Sequence, residues 1–169
     1  MGQNLKLKVM LKQSDKIAIW MESSLDDDYG KMRISALRYL DHEILCVIDS
    51  VFAGKKISEV SIIKKDIPIV DNINKAKAMG ANVLLLGVLT SGGIRPKSWN
   101  NVIEEALNQG MSIINGLHDQ VYPDFSKYLT NKSQWIWDTR VPQFTPKIGT
   151  AKASNLSNKR VLMIGTDMA

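Results

Sequence analysis

From residue 16 to residue 114 the chain repeats one pattern: a short apolar run, a few small or polar residues, then a stretch with helical spacing. The extreme case is Asn82-Val83-Leu84-Leu85-Leu86-Gly87-Val88, apolar on both sides of any strand it could form. A strand that does not alternate is one covered on both faces, which is the habit of parallel sheets. Strands separated by helical stretches of about 10–15 residues imply right-handed βαβ units. The expected fold is therefore α/β: a three-layer Rossmann-like domain with a mostly parallel sheet.

The individual elements follow from periodicity and punctuation. Residues 5–12 alternate leucine and valine with lysine and methionine, as an edge strand would, since lysine discourages edge-to-edge pairing. Strands are expected at 16–21, 43–48, 67–70, 82–88 and 111–114, and an outer one at 133–139, where Trp135 and Trp137 alternate with polar residues. Helices are expected at 31–40, from Asp71 or Asn72 to Met79, at 97–109, and more weakly at 125–129. Gly80 and Gly110 are placed to end two of them. The stretch 53–66 reads as loop, and no internal repeat is visible.

The chain has 169 residues and is 44% hydrophobic, enough for one full core. No stretch approaches the roughly 18 uninterrupted apolar residues of a membrane span. No signal-like leader is visible, so the expected location is cytoplasmic, with no membrane partner. Cys46, the only cysteine, lies in Ile44-Leu45-Cys46-Val47-Ile48 and reads as a buried thiol rather than a nucleophile. The net charge of +5 equals the five basic residues from Arg140 to Arg160, a segment that has no acid. Because that segment is rich in Ser, Thr, Asn, Pro and Gly and lacks interleaved aromatics, it reads as a solvated linker, with no nucleic-acid partner.

In an open parallel sheet, ligands sit outside the carboxyl ends of the strands. That rule selects Gly30 and Lys31; Asp49, Ser50, Gly54 and Lys55; Ser91, Gly92 and Gly93; and Gly116 and His118. Asp49 stands where a dinucleotide-binding domain keeps its ribose-binding acid. The first loop, however, reads Glu22-Ser23-Ser24-Leu25-Asp26-Asp27-Asp28-Tyr29-Gly30, with carboxylates where pyrophosphate would lie and no G-x-G-x-x-G. Ser91-Gly92-Gly93 is either an anion nest or a tight turn needing glycine. Gly54-Lys55 reads first as an ordinary exposed turn. His118 is either a proton-handling group or a structural hydrogen-bonder, and Asp26–Asp28 reads as a solvated loop, so no metal site is expected.

Near the end of the chain, Val161-Leu162-Met163-Ile164 leads into Gly165-Thr166-Asp167, as a buried strand leads into a phosphate loop. The expected organisation is a domain over 1–140 (with 1–14 as an edge strand) and a basic linker over 141–159. Residues 160–169 would then be the first strand and incomplete phosphate loop of a further P-loop-type domain.

Several pieces together resemble one family, the D-glutamate N-acetyltransferases of the DgcN type, formerly catalogued as a domain of unknown function with a phosphate-binding loop. They are Gly30-Lys31 with Leu37-Arg38-Tyr39, Val47-Ile48-Asp49-Ser50 with Ala53-Gly54, and Ile67-Pro68-Ile69-Val70. Gly87-Val88 with Gly92-Gly93, Gly116-Leu117-His118, the set Asp138, Arg140 and Pro142, and Gly165-Thr166-Asp167-Met168-Ala169 complete the match. The run Asp26–Asp28 and the tryptophans at 135 and 137 depart from the family's pattern.

The resemblance implies an N-terminal Rossmann-like domain of an acyl-CoA-dependent N-acetyltransferase acting on an amino acid such as D-glutamate, inactive by itself. In that reading His118 handles the proton, Ser91–Gly93 offer backbone donors, and Lys31, Arg38 or Lys55 pair with substrate carboxylates. Asp49, Ser50 and Gly54 complete the substrate-binding candidates. Gly165, Thr166 and Asp167 would belong to a cofactor loop. Acetyl-CoA or a nucleotide would serve the longer protein, and neither is expected to bind this chain tightly. The expected partners are a small-molecule substrate, the C-terminal P-loop-type domain of the same protein and a second copy of the chain. Two other readings stay open: the nucleotide-binding domain of an NAD(P)-dependent oxidoreductase, and a noncatalytic docking or oligomerisation domain of a P-loop NTPase-like protein.

Overall fold

A computed structural model of the protein describes residues 11–23, 25, 31–88, 90–142 and 155–159. Six parallel strands form one sheet: β1 (Lys16–Trp20), β2 (Glu43–Ile48), β3 (Ile69–Val70), β4 (Val83–Leu86), β5 (Ser112–Asn115) and β6 (Ile136–Asp138). Their spatial order is β3-β2-β1-β4-β5-β6, so the chain reverses its direction of travel between β1 and β4. The helices are α1 (Lys31–Tyr39), α2 (Ile57–Val60), α3 (Ile73–Ala78), α4 (Asn100–Asn108) and α5 (Tyr122–Phe125).

Strand alternation sends neighbouring apolar side chains to opposite faces of the sheet. Ile17, Ile19, Val47, Ile69 and Val83 form one core with Leu37 of α1 and Ile57 of α2. Ala18, Trp20, Cys46, Ile48, Leu84 and Ile113 form the other with α3, α4 and Phe125 of α5. The result is the three-layer Rossmann-like architecture expected from the apolar runs.

Local differences from expectation have physical causes. The strand over 67–70 joins β2 only at Ile69 and Val70; Pro68, which has no N–H to give, accepts from Val47 N at 3.0 Å and bridges Lys56 on its other side. The helix over 97–109 opens as a 3-10 turn at Lys97–Trp99 directly after Pro96. Within the stretch read as loop, α2 forms around a single buried apolar residue, Ile57. The weak helix near 125–129 begins earlier, with Pro123 in its first turn, and Ser126–Tyr128 continues it as a 3-10 turn. The expected strand at 5–12 lies outside the described residues except for Leu11 and Lys12, which are not in a strand. Among the described residues no helix is long and apolar enough to cross a membrane.

Candidate functional site

The reversal between β1 and β4 puts their following loops side by side at the carboxyl edge of the sheet. The loop after β4 is a closed turn: Gly93 N donates to Thr90 O at 2.9 Å, and Thr90 Oγ1 to Ile94 O at 2.6 Å. Gly92 and Gly93 both have left-handed backbone, with φ of +69° and +65°. A Cβ at Gly93 would overlap Cδ2 of His118, so the imidazole lies directly against this glycine. His118 N also donates to Gly93 O at 3.0 Å. The structure thus brings His118 against Gly93, next to Gly92, joining candidates from two separate loops. It also commits the Gly93 N–H within its own turn, so that group is not presented as a donor to a ligand.

Buried polar residues at the ends of β5 and β6 shape the His118 loop. Asn115 is fully buried; its Nδ2 donates to Asp138 Oδ1 at 2.7 Å and to Asp119 O at 2.8 Å, and its Oδ1 accepts from Leu117 N. Asp138 also accepts from Val121 N and Tyr122 N at 2.8 and 3.0 Å, satisfying two orphan donors at the start of α5. Arg140 Nε donates to Gly116 O at 2.8 Å. From the β4 side, Arg95 reaches across with its side chain only 8% exposed. It pairs with Asp124 at 2.7 Å, lies 4.0 Å from Asp119, and stacks 4.8 Å over Phe125. Asn115, Asp138 and Arg95 are absent from the candidate site residues, though Asp138 belongs to the set that carries the family resemblance. A polar residue ending an apolar strand, as in Ile113-Ile114-Asn115, is the signal that points to the first two.

The remaining candidates sit elsewhere. Asp49 is fully buried at the end of β2, and its Oδ1 accepts from Val51 N and Phe52 N at 2.9 and 3.3 Å. It shapes its own loop rather than facing a ribose. Next to it, Ser50 donates through its N–H and hydroxyl to Glu22 of the β1 loop. A carboxylate held by Ser50 where the loops after β1 and β2 meet does not favour the pyrophosphate of a dinucleotide. Gly54, with φ of +88°, donates to Ile69 O at 2.9 Å, and Lys55 O accepts from Ile69 N. The Gly54-Lys55 turn is therefore laced to β3, and Lys55 lies 5.6 Å over Phe52. Arg38 is exposed near the end of α1. Because α1 returns the chain to the start of β2, Arg38 stands at the amino edge of the sheet, away from the other candidates. Lys31 opens α1 on the carboxyl side. Gly30, Asp26–Asp28, and Gly165, Thr166 and Asp167 lie outside the described residues.

A cavity of about 360 Å³ opens on the α3–α4 face at the same edge. Trp20 and Trp99, edge to face with centroids 4.5 Å apart, both line it. Glu22, Asp71 and Glu105 are also among its lining residues. A hydrogen bond from Lys75 holds the Asp71 carboxyl below the usual carboxylate range. Among the described residues no group of three or more His, Cys, Asp or Glu could hold a metal ion.

Comparison with known proteins connects this geometry to named relatives. Over 98 residues the chain is 33% identical to a D-glutamate N-acetyltransferase of Pseudoalteromonas sp, a match covering 57% of this chain and 29% of that protein. A D-glutamate N-acetyltransferase of Tritonibacter scottomollicae is also 33% identical, over 97 residues, 56% of this chain and 28% of its own length. The crystal structure of a DUF1611 family protein from Anabaena variabilis superposes with a TM-score of 0.75 at 31% identity, covering 84% of this chain and 42% of that one. The chain therefore spans less than a third of the length of the curated relatives it matches. Residues 50–142 match the model of a domain of unknown function described as DUF1611_N, a Rossmann-like domain, and since that match takes in more than half of the chain, the chain belongs to this family.

Proposed function

We propose that this domain serves an acyl-CoA-dependent N-acetyltransferase whose acceptor is an amino acid such as D-glutamate. The observation that carries the reading is the placement of His118 against Gly93 at the carboxyl edge, in a chain 33% identical to two proteins named D-glutamate N-acetyltransferase. Acetylation requires the acceptor ammonium to lose a proton before its nitrogen attacks the thioester carbonyl. The N–C bond then forms, the C–S bond breaks, and the departing thiolate takes up the second proton that the nitrogen sheds. His118 is exposed at the edge and anchored through its backbone, so its ring is available to take that proton. Gly93 has no side chain to displace the ring, while Arg95, Asn115 and Asp138 hold the two loops together.

In this reading the acyl donor is held by the rest of the longer protein. A mixture of D-glutamate and acetyl-CoA tests the reading. The longer protein should form N-acetyl-D-glutamate and the 169-residue chain alone should not. Absence of product with the longer protein would overturn it.

A further inference from the structure

Arg95 and Arg140 flank the His118 loop, one from the β4 side and one from the β6 side, and the fold uses them differently. The Arg95 guanidinium is spent internally: its Nη1 donates to Gln120 O at 3.3 Å and its Nη2 to Asp124 at 2.7 Å. Arg140 instead bonds through Nε, to Gly116 O at 2.8 Å. Gly116 is buried, so its carbonyl needs a protein donor, and Arg140 supplies it with the guanidinium atom nearest the backbone. Among the described residues Nη1 and Nη2 of Arg140 have no hydrogen-bond partner, and no carboxylate pairs with them.

That bond does more than satisfy Gly116. A guanidinium is planar, so fixing Nε restricts the plane in which Nη1 and Nη2 lie. The backbone on either side is held as well. Thr139 N and Oγ1 donate to Asn115 O at 2.9 and 3.1 Å, and Val141 N donates to Asp138 O at 3.0 Å. Arg140 is exposed, yet it is oriented before a ligand arrives and anchored to the loop that carries His118. A fork of N–H donors matches a carboxylate, which it takes through both oxygens. Other basic candidates are placed less well. Arg38 stands at the amino edge, and Lys55 lies over Phe52 beside β3, at the far end of the sheet from β6.

We propose that Arg140 binds a carboxylate of the acceptor amino acid through its Nη groups and so holds the substrate beside His118. The identity of that ligand rests on the acetyl-acceptor reading above.

Binding is measured without an acyl donor, by titrating the 169-residue chain at constant ionic strength and following the Arg140 Nε–H resonance. D-Glutamate should shift it saturably, as should glutarate, which has carboxylates and no amine. Butylamine, an amine with no carboxylate, should leave it unmoved. Arg140→Gln, followed through the His118 amide, should weaken D-glutamate binding about tenfold, the scale of one charge-assisted hydrogen bond. Arg140→Lys, which keeps the charge without the fork, should fall between, and it decides the matter if the glutamine variant does not fold. The proposal is overturned if neither carboxylate shifts the resonance, if butylamine shifts it equally, or if the folded variants bind as tightly as the parent chain. Binding without acetylation by the longer protein would remove the proton-transfer reading and leave the carboxylate site. Acetylation without any shift at Arg140 would do the reverse.

Discussion

Gly92 and Gly93 share a left-handed backbone but not an environment. A Cβ at Gly92 would meet only the Ile94 side chain, at 3.9 Å, whereas at Gly93 it would overlap the His118 ring. Alanine at either site should cost about 1–2 kcal/mol from backbone strain alone. Gly93→Ala should cost more and also displace His118, so urea unfolding should rank it below Gly92→Ala; equal midpoints would show that the ring contact is not tight. Burial pushes the Cys46 thiol from 9.0 up to about 12. With the folded value raised, its contribution to stability is complete below pH 9 and declines between pH 9 and 12, where only the unfolded thiol ionises. A thiol reagent should therefore leave the native chain unmodified and react once it unfolds. Cys46→Ala should flatten the alkaline fall in melting temperature relative to the parent protein.

At the scale of elements, α5 depends on a residue outside itself. Asp138, at the end of β6, accepts from Val121 N, Tyr122 N and Asn115 Nδ2. Asp138→Ala leaves those donors without their acceptor and should destabilise the domain by about 3 kcal/mol, with Asp138→Asn milder. Chemical denaturation measures both. Arg95 ties the β4 loop to α5, so Arg95→Ala should raise amide exchange at His118, whose N–H bonds to Gly93 O, and Arg95→Lys should fall between. The same elements explain what was readable beforehand. Glu43–Ile48 was visible as a strand because its apolar run and its bounding polar residues are local. The position of α5 was not, because its N-terminus is satisfied across 16 residues by Asp138. Nor was α2, whose four residues bury only Ile57. Among site candidates, the parallel-sheet rule puts Gly93 and His118 at the same edge, but their contact depends on β4 and β5 being neighbours, which the sequence does not show. The enclosure of Asp49 was not legible either, because it is set by bonds its own loop makes to it.

For the whole molecule, the strand order β3-β2-β1-β4-β5-β6 gathers the loops after β1 and β4 at one edge. Polar residues at the opposite edge are structural: Asn82 bonds to Lys16 N and to Asp15 at 2.7 and 2.9 Å, and Lys16 pairs with Glu43. The proposed proton transfer is accordingly placed at the carboxyl edge, with His118 as its proposed acceptor. The direct test is the steady-state rate of D-glutamate acetylation by the longer protein carrying His118→Gln, with Lys16→Ala as a control at the amino edge. The His118 variant should fall about 100-fold or more in kcat, the scale of a positioned proton-transfer group, while the control keeps its rate. Undiminished turnover by a folded His118→Gln protein would contradict the assignment.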